Sequence, residues 1–201
     1  MLLTAGIASA SGLPIATGTA PEATASGGPP SAISLSGRRN VMANHAVRFR
    51  GRVTPGGSRA VVVQVGGRKL RAHTRADGSY KLRWHAPSSG VYRARATVTG
   101  TSVRSHRLTV NAFRPAEASY YGPGLYGGVL ACGGTLSPGR QGVANKTLPC
   151  GSRVTLRYHG RTITVPVIDR GPYAGNREYD LTAATRAKLG FPSTGTVLTT
   201  R

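Results

Sequence analysis

Acidic residues are scarce in this sequence. The 201 residues include only 6 Asp and Glu against 27 Lys and Arg, and the formal net charge is +21. Because such an excess of positive charge attracts polyanions, nucleic acid, teichoic acids and anionic glycans are all candidate partners. Charge alone does not choose among them, and arginines that only coat solvated strand faces would give the same composition.

Several other features are missing. Aromatic residues make up 6% of the chain, and there is no helix-turn-helix, zinc-finger spacing or RNP-like strand, so specific nucleic-acid recognition is disfavoured. No run of 18 apolar residues exists, so no transmembrane helix is expected. Glu and Lys are rare whereas Val, Thr and Gly are common, which favours a mostly β protein. We find no cofactor motif.

The chain has only two cysteines, Cys132 and Cys150. An even number in a chain that looks exported suggests one disulfide. Two free buried thiols in a cytosolic protein are the alternative. A metal site is not expected, because two cysteines without histidines at ligand spacing cannot complete a tetrahedral shell.

Residues 1–32 are rich in small and apolar residues. Ala8-Ser9-Ala10 and Ala23-Thr24-Ala25 resemble signal-peptidase sites, but a positively charged n-region is missing. We therefore predict the remnant of a signal peptide, with a disordered low-complexity leader as the alternative. The first interpretation implies a secreted or cell-wall protein.

Residues 33–111 show alternating apolar and basic positions. Ala46–Val53 has the period of a half-buried strand, and Asp77-Gly78 predicts a hairpin into Ser79–Trp84. Six or seven short strands at regular spacing favour a β-sandwich. The runs TRADGSYKLRW and GVYRARATV resemble bacterial immunoglobulin-like domains, so we predict an immunoglobulin-like β-sandwich here.

A boundary is predicted at residues 112–117, where Pro115 is expected to interrupt any strand. The second domain is then 118–201. Its one predicted helix is Asp180–Leu189, with Asp180 as the N-cap and Gly190 at the end.

The second domain carries four informative segments. One of them, VPVIDRGPY, is an apolar strand that ends in the carboxylate of Asp169, where a general acid could be placed. The four are ASYYGPG (118–124), ANKTLPCG (144–151), VPVIDRGPY (165–173) and EYDLTAATRAKLGF (178–191).

Together these segments resemble the rare lipoprotein A-like (RlpA-like) double-psi β-barrel family, and the match covers nearly all of residues 118–201. The paired cysteines are also similar to those of the related expansin and barwin-like barrels. The resemblance implies a six-stranded double-psi barrel with one short helix, located outside the cell and directed at cell-wall glycan. Several members of the family are lytic transglycosylases of peptidoglycan.

The resemblance also implies roles for individual residues. Asp169 matches the Asp of the DRGP motif, the catalytic acid/base of active members, and Tyr121 matches a tyrosine beside the groove. Asn145 stands where active members typically have His. Since an amide cannot transfer a proton, this difference favours an expansin-like module that binds polysaccharide without cutting it.

Other polar residues have two interpretations each. Lys146 and Arg170 are either groove residues that bind substrate or ordinary basic surface. Glu178 is expected on the surface, although its position in the sequence invites a two-carboxylate hypothesis with Asp169.

Three functions follow, in this order of preference. The first is a peptidoglycan lytic transglycosylase that uses Asp169. The second is a non-catalytic module that binds or loosens cell-wall polysaccharide and is held by anionic wall polymers. The third, a secreted nucleic-acid-binding protein, rests on charge alone. We expect a monomer without cofactor or metal.

Overall fold

The computed structural model describes residues 27–201, so residues 1–26 of the predicted leader lie outside the described part. Thirteen strands and one helix follow in chain order. The strands are β1 (Ala32–Ile33), β2 (Asn40–Met42), β3 (Ala46–Thr54), β4 (Ala60–Val65), β5 (Arg68–His73), β6 (Ser79–His85), β7 (Gly90–Val98), β8 (Leu108–Tyr121), β9 (Val143–Ala144), β10 (Arg153–Tyr158), β11 (Arg161–Asp169), β12 (Tyr179–Thr182) and β13 (Gly195–Thr199), and the helix is α1 (Ala183–Leu189).

The N-terminal half is built from two packed sheets. One sheet has the order β1-β3-β6, and the other pairs β5, β4, β7 and the start of β8, with β2 beside β8. Alternate apolar side chains of β3 and β4 point into one shared core, which also holds Trp84. The rings of Trp84 and Tyr92 meet edge to face with centroids 4.9 Å apart. The predicted sandwich arrangement of strands is therefore present, while the immunoglobulin-like relationship stays a prediction.

Two turns of this half contain glycines with positive φ. Gly66 and Gly67 both have positive φ and join β4 to β5 in a tight hairpin. The hairpin prediction at Asp77-Gly78 is wrong, because β5 pairs with β4 whereas β6 pairs with β3 in the opposite sheet. The turn itself forms, and Asp77 Oδ1 accepts the Ser79 amide at 2.9 Å, but it carries the chain from one sheet to the other.

Strand β8 runs without a break through residues 112–117, so the expected interruption at Pro115 is wrong. Its first part pairs with β7 and β2, and its last part pairs with β13 and β12. At Pro115 only β13 is paired with β8. The missing amide hydrogen is tolerated because one side of the strand has no partner at this point.

The C-terminal half is a closed ring of six strands. The pairings run β8-β12-β9-β11-β10-β13 and return to β8, which confirms the six-stranded barrel. The apolar side chains of these strands fill the interior, where Tyr179, Leu156 and Leu181 are fully buried.

The single helix begins later than predicted. Thr182, not Asp180, is the N-cap, and its side chain accepts the Thr185 amide; Gly190 ends the helix with φ of 69°. Asp180 instead belongs to β12, which is held in parallel pairing with β8 over Tyr179–Thr182. No helix among residues 27–201 is long and apolar enough to cross a membrane.

Candidate functional site

Two carboxylates lie on the outer face of the barrel. Strand β9 lies between β11 and β12, and its Ala144 is level with Asp169 on one side and Asp180 on the other. Residues at opposite register positions point to the same face. A register irregularity between Val167 and Asp169 brings the aspartate level with Ala144. The two Cα atoms are therefore about two strand spacings, or roughly 9–10 Å, apart.

Asp169 is held by backbone amides. Its Oδ1 accepts the amide of Ala131 and the amide of Arg170, each at 2.9 Å. Ala131 belongs to the long loop that follows β8, so this contact ties the loop to the end of β11. The second oxygen, Oδ2, has no hydrogen-bonding partner among residues 27–201 and is available to a ligand.

Asp180 is the group that sequence reasoning missed. Ser119 on β8 donates a hydrogen bond to its Oδ1 at 2.9 Å. Burial raises the pKa of Asp180 and the Asp169 charge adds to the increase, although Ser119 and Arg177 oppose it. Asp180 therefore keeps a proton to higher pH than an ordinary aspartate.

Tyr121 contributes a phenol to the same face. It lies two residues after Ser119 on β8, and its ring packs on the small cluster of Leu130, Leu136 and Ile168. The hydroxyl is buried and has no hydrogen-bonding partner among the described residues. Burial raises the pKa of Tyr121, and the charges of Asp169 and Asp180 raise it further, so the phenol stays protonated close to both carboxylates.

The pKa of Asp180 predicts how stability depends on pH. The native state holds this proton more tightly than the unfolded chain, so Asp180 makes stability fall as pH rises from about 3.9 through the folded pKa. We expect Asp180→Asn to become more stable relative to wild type as pH rises from about 3.9 through the folded pKa of Asp180, as measured by thermal melts.

Asp77 is a matched control with the opposite sign. Hydrogen bonds from Ser79 lower its pKa, so its carboxylate adds stability above the unfolded pKa. Asp77→Asn should therefore lose stability relative to wild type as pH rises from the folded pKa of Asp77 to about 3.9. A parallel response of the two variants would contradict the assignment at Asp180.

Asn145 holds a turn. Its side chain is 3% exposed. Oδ1 accepts the amides of Thr147 and Leu148 at 3.0 and 2.8 Å, and Nδ2 donates to the Glu178 carbonyl at 3.0 Å. Binding of substrate by Asn145 stays a prediction, and only its second Nδ2 hydrogen is left for that role.

Arg170 supports the same turn from the other side. Its guanidinium donates to the carbonyls of Asn145 and Leu148 and contacts Cys150 Sγ at 3.2 Å. The predicted disulfide is confirmed, since Cys132 and Cys150 are bonded. It joins this turn to the loop that carries Ala131. The amide of Cys132 also donates to the Ile168 carbonyl, so the loop is fixed beside Asp169.

Lys146 is exposed at a separate cleft of about 430 Å³. Glu178 also lines this cleft and forms a two-pronged ion pair with Arg114, with nitrogen-to-oxygen distances of 2.8 and 2.5 Å. The carboxylate that shares a face with Asp169 is therefore Asp180, not Glu178. The signal for it in the sequence is the alternation of Asp180 with the apolar Tyr179 and Leu181 on either side.

Exposed apolar side chains are concentrated in the loops that follow β8 and β11. Only five large hydrophobic residues are exposed in the described chain, and four of them lie in loops that adjoin Asp169. Because exposed aromatic rings next to polar groups are suited to contact sugar faces, these loops form a candidate glycan surface. The four are Leu125, Tyr126, Val129 and Tyr173.

Known proteins resemble the barrel. Residues 115–200 match the family described as lytic transglycolase. The probable endolytic peptidoglycan transglycosylase RlpA of Synechocystis sp. is 36% identical over 89 residues, which is 43% of this chain and 28% of the relative. The endolytic peptidoglycan transglycosylase RlpA of Pseudomonas aeruginosa is 42% identical over 81 residues, 39% of this chain and 24% of the relative.

A solved structure, that of the Streptomyces papain inhibitor, aligns with 44% of this chain and 94% of its own at 28% identity, with a TM-score of 0.35. The chain spans only about a quarter of the length of the curated relatives above. The predicted RlpA-like resemblance of the second domain is confirmed by the family match over residues 115–200 and by the two RlpA relatives.

Proposed function

We propose that this protein acts on the glycan strands of peptidoglycan in the cell wall, on the premise that residues 115–200 belong to the lytic transglycolase family. The observation that carries the proposal is the face shared by Asp169 and Asp180 on the barrel. The protein would work outside the cell as a monomer. Anionic wall polymers are proposed as additional partners.

The chemistry needs one group that gives a proton and one that accepts it. Like charges on neighbouring groups favour keeping one of them protonated. We assign the proton to Asp180, which would protonate the glycosidic oxygen as the bond to the anomeric carbon breaks. Asp169 would take the proton of the muramic-acid 6-hydroxyl as that oxygen attacks the anomeric carbon. The product is a 1,6-anhydro sugar, and no water is consumed.

The reaction causes no net gain or loss of protons by the two aspartates together. Asp180 loses one proton and Asp169 gains one, and exchange between them or with solvent restores the starting state. Asp180 supplies the titrating partner that Asn145 cannot provide. The buried Tyr121 hydroxyl lies close to both carboxylates.

A non-catalytic, expansin-like module is the second candidate. Asn145 stands where the family resemblance leads us to expect His, and its amide is bonded to backbone groups. A barrel of this kind would bind the same glycan and leave it intact. Fragments released from purified sacculi, identified by mass spectrometry, distinguish the two candidates.

The exposed tyrosines give a prediction that both candidates share. We expect Tyr173→Ala to weaken binding to purified sacculi about five-fold, because an aromatic contact contributes roughly 1 kcal/mol. Tyr126→Ala should act in the same direction. Co-sedimentation with sacculi measures the effect, and Val91→Ala, which removes an apolar side chain exposed on the sandwich, is the control. An equal loss in the control would show that the tyrosines are not a specific surface.

A further inference from the structure

A basic cleft of about 890 Å³ lies where the sandwich meets the barrel. Strands β3 and β6 line one side, and Arg157 and Leu198 of the barrel line the other. No carboxylate of residues 27–201 lines it. Its charged groups are five guanidinium groups, from Arg38, Arg48, Arg50, Arg83 and Arg157, and the imidazole of His45 also lines it.

The strand register places like charges opposite each other at this cleft. Arg48 pairs with Arg83 within the cleft lining, and Arg50 of the lining pairs with Lys81, which lies outside it. Like charges directly opposite on neighbouring strands destabilise a sheet. The two salt bridges of the described residues, Arg52–Asp77 and Arg114–Glu178, involve none of the cleft arginines. The fold therefore contains a repulsion that nothing in the described chain relieves.

The arrangement of these charges indicates which kind of anion would fit the cleft. Arg48 and Arg50 are two residues apart on one face of β3. Their spacing along the strand is therefore about 6.6–6.8 Å. A row of repeated charges in an open cleft suits a chain with regularly spaced anions better than a single small ion. Arginine binds phosphate oxygens with two parallel hydrogen bonds, which makes phosphodiester groups the best match.

The lining argues against nucleic acid. Phe113 is the only Phe, Tyr or Trp that lines the cleft, and it is 1% exposed. Single-stranded nucleic acid is bound through stacking of bases on accessible aromatic rings, and the cleft offers none. A polyol–phosphate chain has no bases and needs only the guanidinium groups.

We propose that this cleft binds a phosphodiester-linked polyol chain, with poly(glycerol phosphate) as the simplest example. The site is separate from the carboxylate face, because its barrel residues lie on β10 and β13 whereas Asp169 and Asp180 lie on β11 and β12. A bound chain would contact both halves of the protein while the carboxylate face stays open. The proposal does not depend on glycan cleavage.

The test compares two triple variants of the full chain that carry the same net charge. Arg48→Gln, Arg50→Gln and Arg83→Gln together remove three exposed cleft arginines. Arg93→Gln, Arg104→Gln and Arg107→Gln remove three exposed arginines from a second basic cleft on the sandwich. Fluorescence anisotropy with labelled poly(glycerol phosphate) at 0.15 M salt gives the affinities, because lower salt exaggerates non-specific attraction.

We expect the first triple variant to lose at least ten-fold in affinity and the control to lose less than three-fold. Arg157→Gln, on the barrel side, should lose about three-fold, which tests the cleft independently if the triple variant does not fold. The melting temperature of the first triple variant should not be lower than that of wild type, because the substitutions remove like-charge pairs between neighbouring strands.

Three results would overturn the proposal. Equal losses in the two triple variants would assign the binding to overall charge. Tighter binding of a single-stranded oligonucleotide with the same number of phosphates would identify a nucleic-acid site. No binding of wild type at 0.15 M salt would leave the cleft without this ligand. The anisotropy assay contains no peptidoglycan. A negative result in it therefore concerns this cleft alone and leaves the proposed action on glycan strands untouched.

Discussion

Asp169→Asn should reduce the release of 1,6-anhydro fragments from purified sacculi by about 100-fold or more. An amide neither gives nor takes a proton under these conditions, and a positioned acid or base typically contributes 10²- to 10⁴-fold. The Asn side chain can still accept the amides of Ala131 and Arg170 that hold Asp169. Fold and binding should therefore persist, and co-sedimentation with sacculi checks this.

Asp180→Asn should reduce the release of 1,6-anhydro fragments by a similar factor. Here the substitution removes the proton donor, whereas Asp169→Asn removes the proton acceptor. Because the pKa of Asp180 is raised, the wild-type rate should fall as pH rises through the folded pKa of this group. Asp77→Asn, which changes a carboxylate of the sandwich, should keep the wild-type rate. An Asp180→Asn protein with the wild-type rate would exclude Asp180 from the chemistry and leave Asp169 to act alone.

The second large effect concerns the disulfide. We expect replacement of Cys132 and Cys150 by Ser to lower the free energy of unfolding by about 3 kcal/mol. The two cysteines are 18 residues apart in sequence, and closing a loop of about this size restricts the unfolded chain by that amount in the chain-entropy model. Denaturant unfolding of the double variant and of wild type measures the difference.

Reductant provides the control for the disulfide. Reductant should lower the free energy of unfolding of wild type towards that of the double variant. It should leave the free energy of unfolding of the double variant unchanged. Sacculus cleavage should fall too, because Cys132 adjoins Ala131, whose amide holds Asp169. Unfolding curves that coincide for wild type and double variant would show that barrel packing alone fixes the loop.

The barrel was predictable because its strands carry local signals. The apolar run that ends at Asp169 and the turn before Cys150 indicated both the strands and the family. Cys132 and Cys150 also predicted the disulfide. These features are encoded within short segments, so no knowledge of distant pairing was needed.

Asp180 could not be placed correctly because its position depends on non-local pairing. Its sequence context, an Asp before Leu and Thr, is typical of a helix N-cap. Parallel pairing of β12 with β8, whose residues lie about 60 positions earlier, keeps Asp180 in a strand and moves the cap to Thr182. Tertiary pairing therefore overrode a local preference, and the second carboxylate became visible only in the structure.

The environments of Asn145 and Pro115 also depend on residues that are distant in sequence. The importance of Asn145 was inferred from its family position, but its hydrogen bonds to the turn depend on where the Glu178 carbonyl lies. Pro115 was expected to interrupt a strand, yet β8 has only one partner there. Glu178 is far from Asn145 in sequence, and β13 is far from Pro115. Local sequence patterns therefore could not predict the hydrogen bonds of Asn145 or the unbroken strand at Pro115.

Digestion of purified sacculi shows whether the barrel cleaves glycan and by which reaction. The full chain is incubated with purified sacculi, and the soluble fragments are identified by mass spectrometry, with Asp169→Asn in parallel. Transglycosylation by the Asp169–Asp180 pair should give 1,6-anhydro fragments from wild type and none above background from the variant. Reducing-end sugars would mean hydrolysis by water, and no soluble product from protein that pellets with the sacculi would mean binding without cleavage. Either result would contradict transglycosylation by the Asp169–Asp180 pair.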